Sequence, residues 1–263
     1  MVTLPDVPTV KEIEEHLAER TRPETAADWD PVGLQVGDPN TEVSRVGVCH
    51  ELTEEVVAAI EESPVDLVIT YHPLLFARVN RIVAGRSPEA RTLRLIQTGA
   101  AVLVTHTDFD AAPGGTADAL AAVFNLRDIE PFGADEETGT PAIGRVGEFG
   151  DSLGALDARA TDLFGVAGLR ISGDRKKELD RVAVVPGSGS DFIEAAAEAA
   201  DALVTGDVSH HRVVYALDLG LAIVDPGHAA TERPGMPGLV ALAGTIPEVE
   251  VVDLTHIDPE TWG

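Results

Sequence analysis

The sequence is short of cysteine and lysine, and it has no apolar run near the ~18 residues that a membrane helix needs. With Cys49 alone no internal disulfide can form, so this residue is expected to pack as a small apolar side chain at a strand end and to take no part in redox chemistry. Lacking a spanning run, and lacking a charged start that leads into an apolar signal core, the chain reads as a soluble cytoplasmic protein with no membrane partner. Lysine occurs only at positions 11, 176 and 177, and 19 basic residues face 45 acidic ones, a net charge of -26. There is no basic stripe to replace the counterions of a phosphate backbone, which argues against a nucleic-acid partner, while so negative a field attracts metal cations. The acids are scattered rather than gathered into a tail. That pattern suits a surface adapted to solvent of high ionic strength, as in a halophile's cytoplasm, where screening removes the self-repulsion.

What is present is enough to build a large core: 263 residues, 44% of them hydrophobic. Thr9-Val10-Lys11-Glu12 reads as a capping box opening a helix whose buried stripe is Val10, Ile13 and Leu17, with His16 off the stripe. Trp29 to Asp38, with two glycines and a proline, reads as a shaped loop whose polar groups Asp30 and Gln35 could line a pocket. An alternation follows: strand 46–49, helix 54–62, strand 67–70, helix 89–98, strand 101–105. Residues 128–151, rich in Gly, Pro and acids, read as a surface connection between a first α/β unit over 1–127 and a second over 152–263. The second half repeats the alternation, with helix 155–164, strand 181–185, helix 191–200, strand 202–205, helix 212–219, strand 221–224 and a last strand at 249–254. The fold class expected from this alternation is α/β, with mostly parallel sheets covered on both faces.

In such sheets ligands gather beyond the carboxyl ends of the strands. His72, His106 and His228 all stand there, with the carboxylates Asp108, Asp110 and Glu232 beside them, a placement better explained by a shared metal site than by chance. His228 and Glu232 are four residues apart, so one helical turn stacks them on one face. Imidazole nitrogen with carboxylate oxygen suits zinc, manganese or iron. Pro186-Gly187-Ser188-Gly189-Ser190 lies between a strand and a helix but lacks the lysine and spacing of a P-loop, and reads as a turn. The adjacent His210 and His211 point about 100 degrees apart on a helix and cannot easily share a metal.

Five segments taken together resemble the NIF-three-like family of dinuclear metal proteins, many of which bear the name GTP cyclohydrolase I type 2 homologue. They are Asp30-Pro31-Val32-Gly33-Leu34-Gln35-Val36-Gly37, Tyr71-His72-Pro73-Leu74-Leu75-Phe76, His106-Thr107-Asp108-Phe109-Asp110, Gly206-Asp207-Val208-Ser209-His210-His211 and Gly227-His228-Ala229-Ala230-Thr231-Glu232. The resemblance is to short members that lack an inserted domain. It implies two similar α/β/α units with a metal site in the cleft between them, a homohexameric ring, one or two divalent metal ions (zinc, iron or manganese) per subunit, and a hydrolase acting on a purine nucleotide such as GTP; the alternative it leaves is a non-catalytic metal-binding ring. By motif, His72 and Asp110 would hold one metal and His228 the other, with Glu232 bridging both. Tyr71 departs from the pattern, since many members carry a second consecutive His there. A neutral phenol is a poorer ligand than imidazole. His106 is the candidate for proton transfer, against a structural role.

Overall fold

The computed structural model describes residues 7–85, 87–134 and 141–257. Along the chain lie α1 (Val10–Thr21), β1 (Gly33–Val36), β2 (Arg45–Cys49), α2 (Glu54–Glu62), β3 (Leu67–Thr70), α3 (Pro88–Thr98), β4 (Ala101–Val104) and α4 (Thr107–Ala111). Next come α5 (Thr116–Val123), β5 (Arg127–Phe132), β6 (Gly144–Ser152), α6 (Leu153–Phe164), β7 (Arg170–Ser172), β8 (Glu178–Ser188), α7 (Ile193–Ala199), β9 (Ala202–Gly206), α8 (His210–Asp218), β10 (Ala222–Asp225) and α9 (His228–Glu232). α10 (Met236–Ala243) and β11 (Glu250–Asp253) follow. Among the described residues, one compact unit runs to Ala112 and resumes at Met236, and the other is Pro113–Gly235.

The first unit is built on a five-stranded sheet in the order β1-β4-β3-β2-β11. Its strands pair parallel except β1, which runs antiparallel to β4. Both faces are covered, because alternate residues of one strand enter different cores: Leu67 and Ile69 join α1 and α10 on one side, and Val68 joins α2 and α3 on the other. Each such buried aliphatic side chain contributes roughly 1.5–3 kcal/mol. α1 starts where expected: the Glu12 amide donates to Thr9 Oγ1 at 3.3 Å and the Thr9 amide to Glu12 Oε2 at 2.8 Å, satisfying two amides that the helix leaves unpaired.

The second unit holds a six-stranded sheet, β5-β6-β8-β9-β10-β7. Its centre, β8-β9-β10, is parallel, and the antiparallel pairings lie toward its margins. α5 and α6 pack on one face through Leu120, Phe124, Leu153 and Leu156. The protein is thus α/β, with parallel strands at the heart of both sheets.

Four sequence expectations differ from what is observed. Residues 127–132 and 144–152, expected to fall largely in a connection, are strands β5 and β6 of the second sheet; residues 135–140 lie outside the described residues, as do 258–263. Five of the six β5 residues are exposed, so this edge strand lacks the apolar alternation that marks a strand, and an edge tolerates Pro131. The loop expected around Gly33 contains β1, a four-residue edge strand with an irregular register against β4. β11, expected to complete the second unit's sheet, instead pairs with β2 in the first. Finally, the turn expected at 186–190 is largely strand, since β8 runs on to Ser188. Among the described residues no helix is long and apolar enough to cross a membrane.

Candidate metal centre

In the first unit the ends of three neighbouring parallel strands deliver the polar groups. His50 follows β2, Tyr71 and His72 follow β3, and His106 follows β4 as the residue that opens α4, the helix carrying Asp110. His50 and His72 present ring nitrogens within 4.8 Å of each other, with ring centroids 4.6 Å apart. His106 stands edge-on to His72, centroids 5.5 Å apart. Tyr71 is fully buried beneath them, and its hydroxyl donates to Asp110 Oδ1 at 2.6 Å. Where a second consecutive His would supply a ligand, the phenol orients a carboxylate.

His106 has a carboxylate partner of its own. Its Nδ1 lies 3.0 Å from Asp30, whose Oδ2 also accepts from the Thr107 amide at 3.0 Å and the Thr107 hydroxyl at 2.5 Å. Burial alone would raise the Asp30 carboxyl, but the hydrogen bonds from His106 and Thr107 outweigh it and hold the group below the ordinary carboxylate range. An ionised Asp30 can only accept, so Nδ1 carries the proton and Nε2 faces the other way, able to exchange one. Gln35, read from the sequence as a pocket group, instead clamps the following loop: its amide donates to the Leu75 carbonyl at 3.2 Å, and its Oε1 accepts from the Leu75 amide at 2.9 Å. Asp108 is buried and accepts from the His106 amide at 2.7 Å and the Thr105 hydroxyl at 3.2 Å; burial pushes its carboxyl up, and it serves to fix the turn. Burial also pushes the Cys49 thiol up to about 12, which leaves it inert as expected.

The second unit has its own donor pair. His228 and Glu232 share one face of α9, with Nε2 and Oε1 2.9 Å apart. The other His228 nitrogen, Nδ1, lies 2.7 Å from Asp207 Oδ2, at the end of β9. A carboxylate behind the imidazole fixes which nitrogen is presented forward, the arrangement common behind metal-binding histidines. Two glycines make room. Gly187, at φ 64 on the end of β8, lies where a Cβ would stand 2.7 Å from Glu232 Oε1 and 3.2 Å from His228 Nε2; at Gly206 a Cβ would stand 2.6 Å from the His228 amide nitrogen. The first unit thus presents two imidazoles, and the second an imidazole with a buried carboxylate; nitrogen and oxygen donors of these kinds are ones that divalent zinc, iron or manganese accept.

A family model described as Duf34/NIF3 (NGG1p interacting factor 3) matches residues 8–259. The chain belongs to the Duf34/NIF3 family. A Lactococcus lactis relative named GTP cyclohydrolase 1 type 2 homolog is 35% identical over 210 residues, covering 78% of this chain and 80% of the relative. Reduced HcgD from Methanocaldococcus jannaschii superposes with a TM-score of 0.80 at 25% identity, over 96% of this chain and 99% of that one. A hypothetical protein of Staphylococcus aureus, at 23% identity, shares the fold with a TM-score of 0.85 over 97% of this chain and 98% of its own.

Within this Duf34/NIF3 chain, His72, His106 and Asp110 sit together in the first unit, and His228 and Glu232 sit together in the second. His50 was missed by sequence reasoning. The signal was available, because His50 stands just beyond the carboxyl end of a strand, as the others do within three residues, but Cys49 and Glu51 on either side form no recognisable motif with it. Gly187 was likewise read as part of a turn. Its substitution gives a direct check: Gly187→Ala should cost about 1–2 kcal/mol for the left-handed backbone and, by crowding Glu232 and His228, should lower metal content sharply. Gly99→Ala, at φ 85 with nothing within 4 Å, should cost similar stability and keep the metal. Equal metal content in the two variants, by elemental analysis alongside denaturation, would contradict the cradle.

Proposed function

We propose that this chain is a divalent-metal-dependent hydrolase acting on a purine-nucleotide-like substrate, with His50, His72, Asp110, His228 and Glu232 as metal donors. The observation that carries this reading is the convergence of the His50 and His72 ring nitrogens at adjacent strand ends. The purine nucleotide is supported by the name of the Lactococcus relative. A divalent ion in such a site supplies Lewis-acid polarisation of the bond under attack and acidifies water.

The rest falls to the protein. Tyr71 holds Asp110 in place, Asp207 fixes the tautomer of His228, and Asp30 keeps the proton of His106 on Nδ1. His106 Nε2 is then the atom that accepts and returns a proton, with a side chain only 13% exposed and therefore partly shielded from bulk water.

The experiment is turnover. Protein loaded separately with zinc, manganese or iron is offered a panel of purine and pyrimidine nucleotides in molar salt. A purine nucleoside triphosphate is expected to be converted, with activity abolished by a chelator and restored by one of the metals. Saturable binding of nucleotide with no conversion of any would replace the hydrolase with a metal-binding scaffold.

A further inference from the structure

Residues 67–107 contain one acid, Glu89, against five arginines, at 78, 81, 86, 91 and 94, in a chain whose net charge is -26. This local excess of positive charge begins at Arg78, six residues beyond His72. Arg94 is engaged in structure, pairing with Glu54 at 2.5 Å and Glu61 at 2.7 Å. Arg78, Arg81 and Arg91 form no ion pair among the described residues, and the Arg91 Nε is buried with no hydrogen-bond partner. A guanidinium N–H taken out of water and left unpaired is costly, so an acceptor is expected to complete it.

These arginines line two adjoining cavities that share Val79 and Glu89. Arg78 and Arg81 line one of about 370 Å³ with Asn80 and Ser87. Arg91 lines the other, of about 220 Å³, together with Phe76 and Glu51. Glu51 Oε2 is 3.8 Å from His72 Nδ1, so the second cavity abuts the histidines. Phe76 carries the wall onward to Trp29, ring centroids 5.8 Å apart, and Trp29 stands edge-on to His106 at 6.2 Å. Three arginines against Glu51 and Glu89 leave this lining net positive, on a molecule whose overall field repels any polyphosphate.

We infer that Arg78, Arg81 and Arg91 bind the phosphate groups of an anionic substrate, holding its other end toward His72 and His106. Guanidinium forks match phosphate oxygens two at a time, and a local positive cavity overcomes the repulsion of the remaining surface. This assignment rests on the hydrolase reading only for the identity of the substrate; the phosphate site stands by itself.

The probe is inorganic triphosphate, titrated in the presence of a chelator so that no metal contributes. Wild type is expected to bind it saturably, and more weakly as salt rises. Arg78→Ala/Arg81→Ala, and separately Arg91→Gln, should each weaken binding by about tenfold or more, the effect of losing a charge-assisted hydrogen bond. With metal-loaded protein, GTP should bind more tightly than guanosine in wild type and lose that advantage in the double variant. Metal content and the mass measured by light scattering should not change. Triphosphate binding that is absent in wild type, or unchanged in the variants, overturns the inference. A fall in mass with triphosphate binding intact also overturns it, and assigns these arginines to contacts between copies. Binding of GTP without conversion sinks the hydrolase reading and leaves this one in place.

Discussion

Glu232→Ala is expected to strip the protein of most of its metal. The carboxylate is 1% exposed and sits 2.9 Å from His228 Nε2, in a space kept open by Gly187, so no other side chain can easily take its place. Losing only a partner that orients a ligand costs about 10–100-fold in metal affinity, and loss of a ligand should exceed that. His50→Ala, His72→Ala and His228→Ala should act in the same direction. His16→Ala and His256→Ala should leave metal content unchanged, because His16 bonds the Thr245 hydroxyl at 3.0 Å and His256 is exposed near the end of the described chain. Elemental analysis after gel filtration measures this. Wild-type stoichiometry in the Glu232 variant would remove that residue from the site.

His106→Ala is expected to keep the metal and slow turnover by about 10²–10⁴-fold, the usual contribution of a positioned general acid or base. The geometry behind this is the Asp30 contact on Nδ1, which leaves Nε2 as the exchanging atom. Asp30 is a positioning residue on this account, so Asp30→Asn should lower kcat with KM and metal content nearly unchanged, because an amide no longer enforces the tautomer. If His106→Ala released metal in step with activity, His106 would be a ligand and not a proton carrier.

Much of this arrangement could be read before any coordinates, and what could not has physical causes. Continuous apolar runs such as Leu67-Val68-Ile69 are buried on both faces, and only a central parallel strand needs that, so the heart of the first sheet was legible. His228 and Glu232 were legible as a pair because the helical period alone puts them on one face. β5 was not, since an edge strand facing solvent has no apolar period to detect. The return of β11 to the first sheet was hidden for another reason: periodicity marks a strand but does not say which strand it will pair with. His50 and Gly187 belong to a third kind. Their roles come from what lies beside them in space, a neighbouring strand-end His for one and a carboxylate more than forty residues along the chain for the other.

The central claim is that the strand-end histidines and carboxylates hold a divalent metal, and anomalous diffraction tests it most directly. Crystals of metal-loaded protein would be measured above and below the absorption edge of the bound element. The expected result is anomalous density about 2.0–2.2 Å from the donors, at a His72 ring nitrogen in the first unit and at a Glu232 carboxylate oxygen in the second, the bonding range for such groups. Metal bound elsewhere, for example beside the exposed His210 and His211, with no peak at His72 and Glu232, would contradict it.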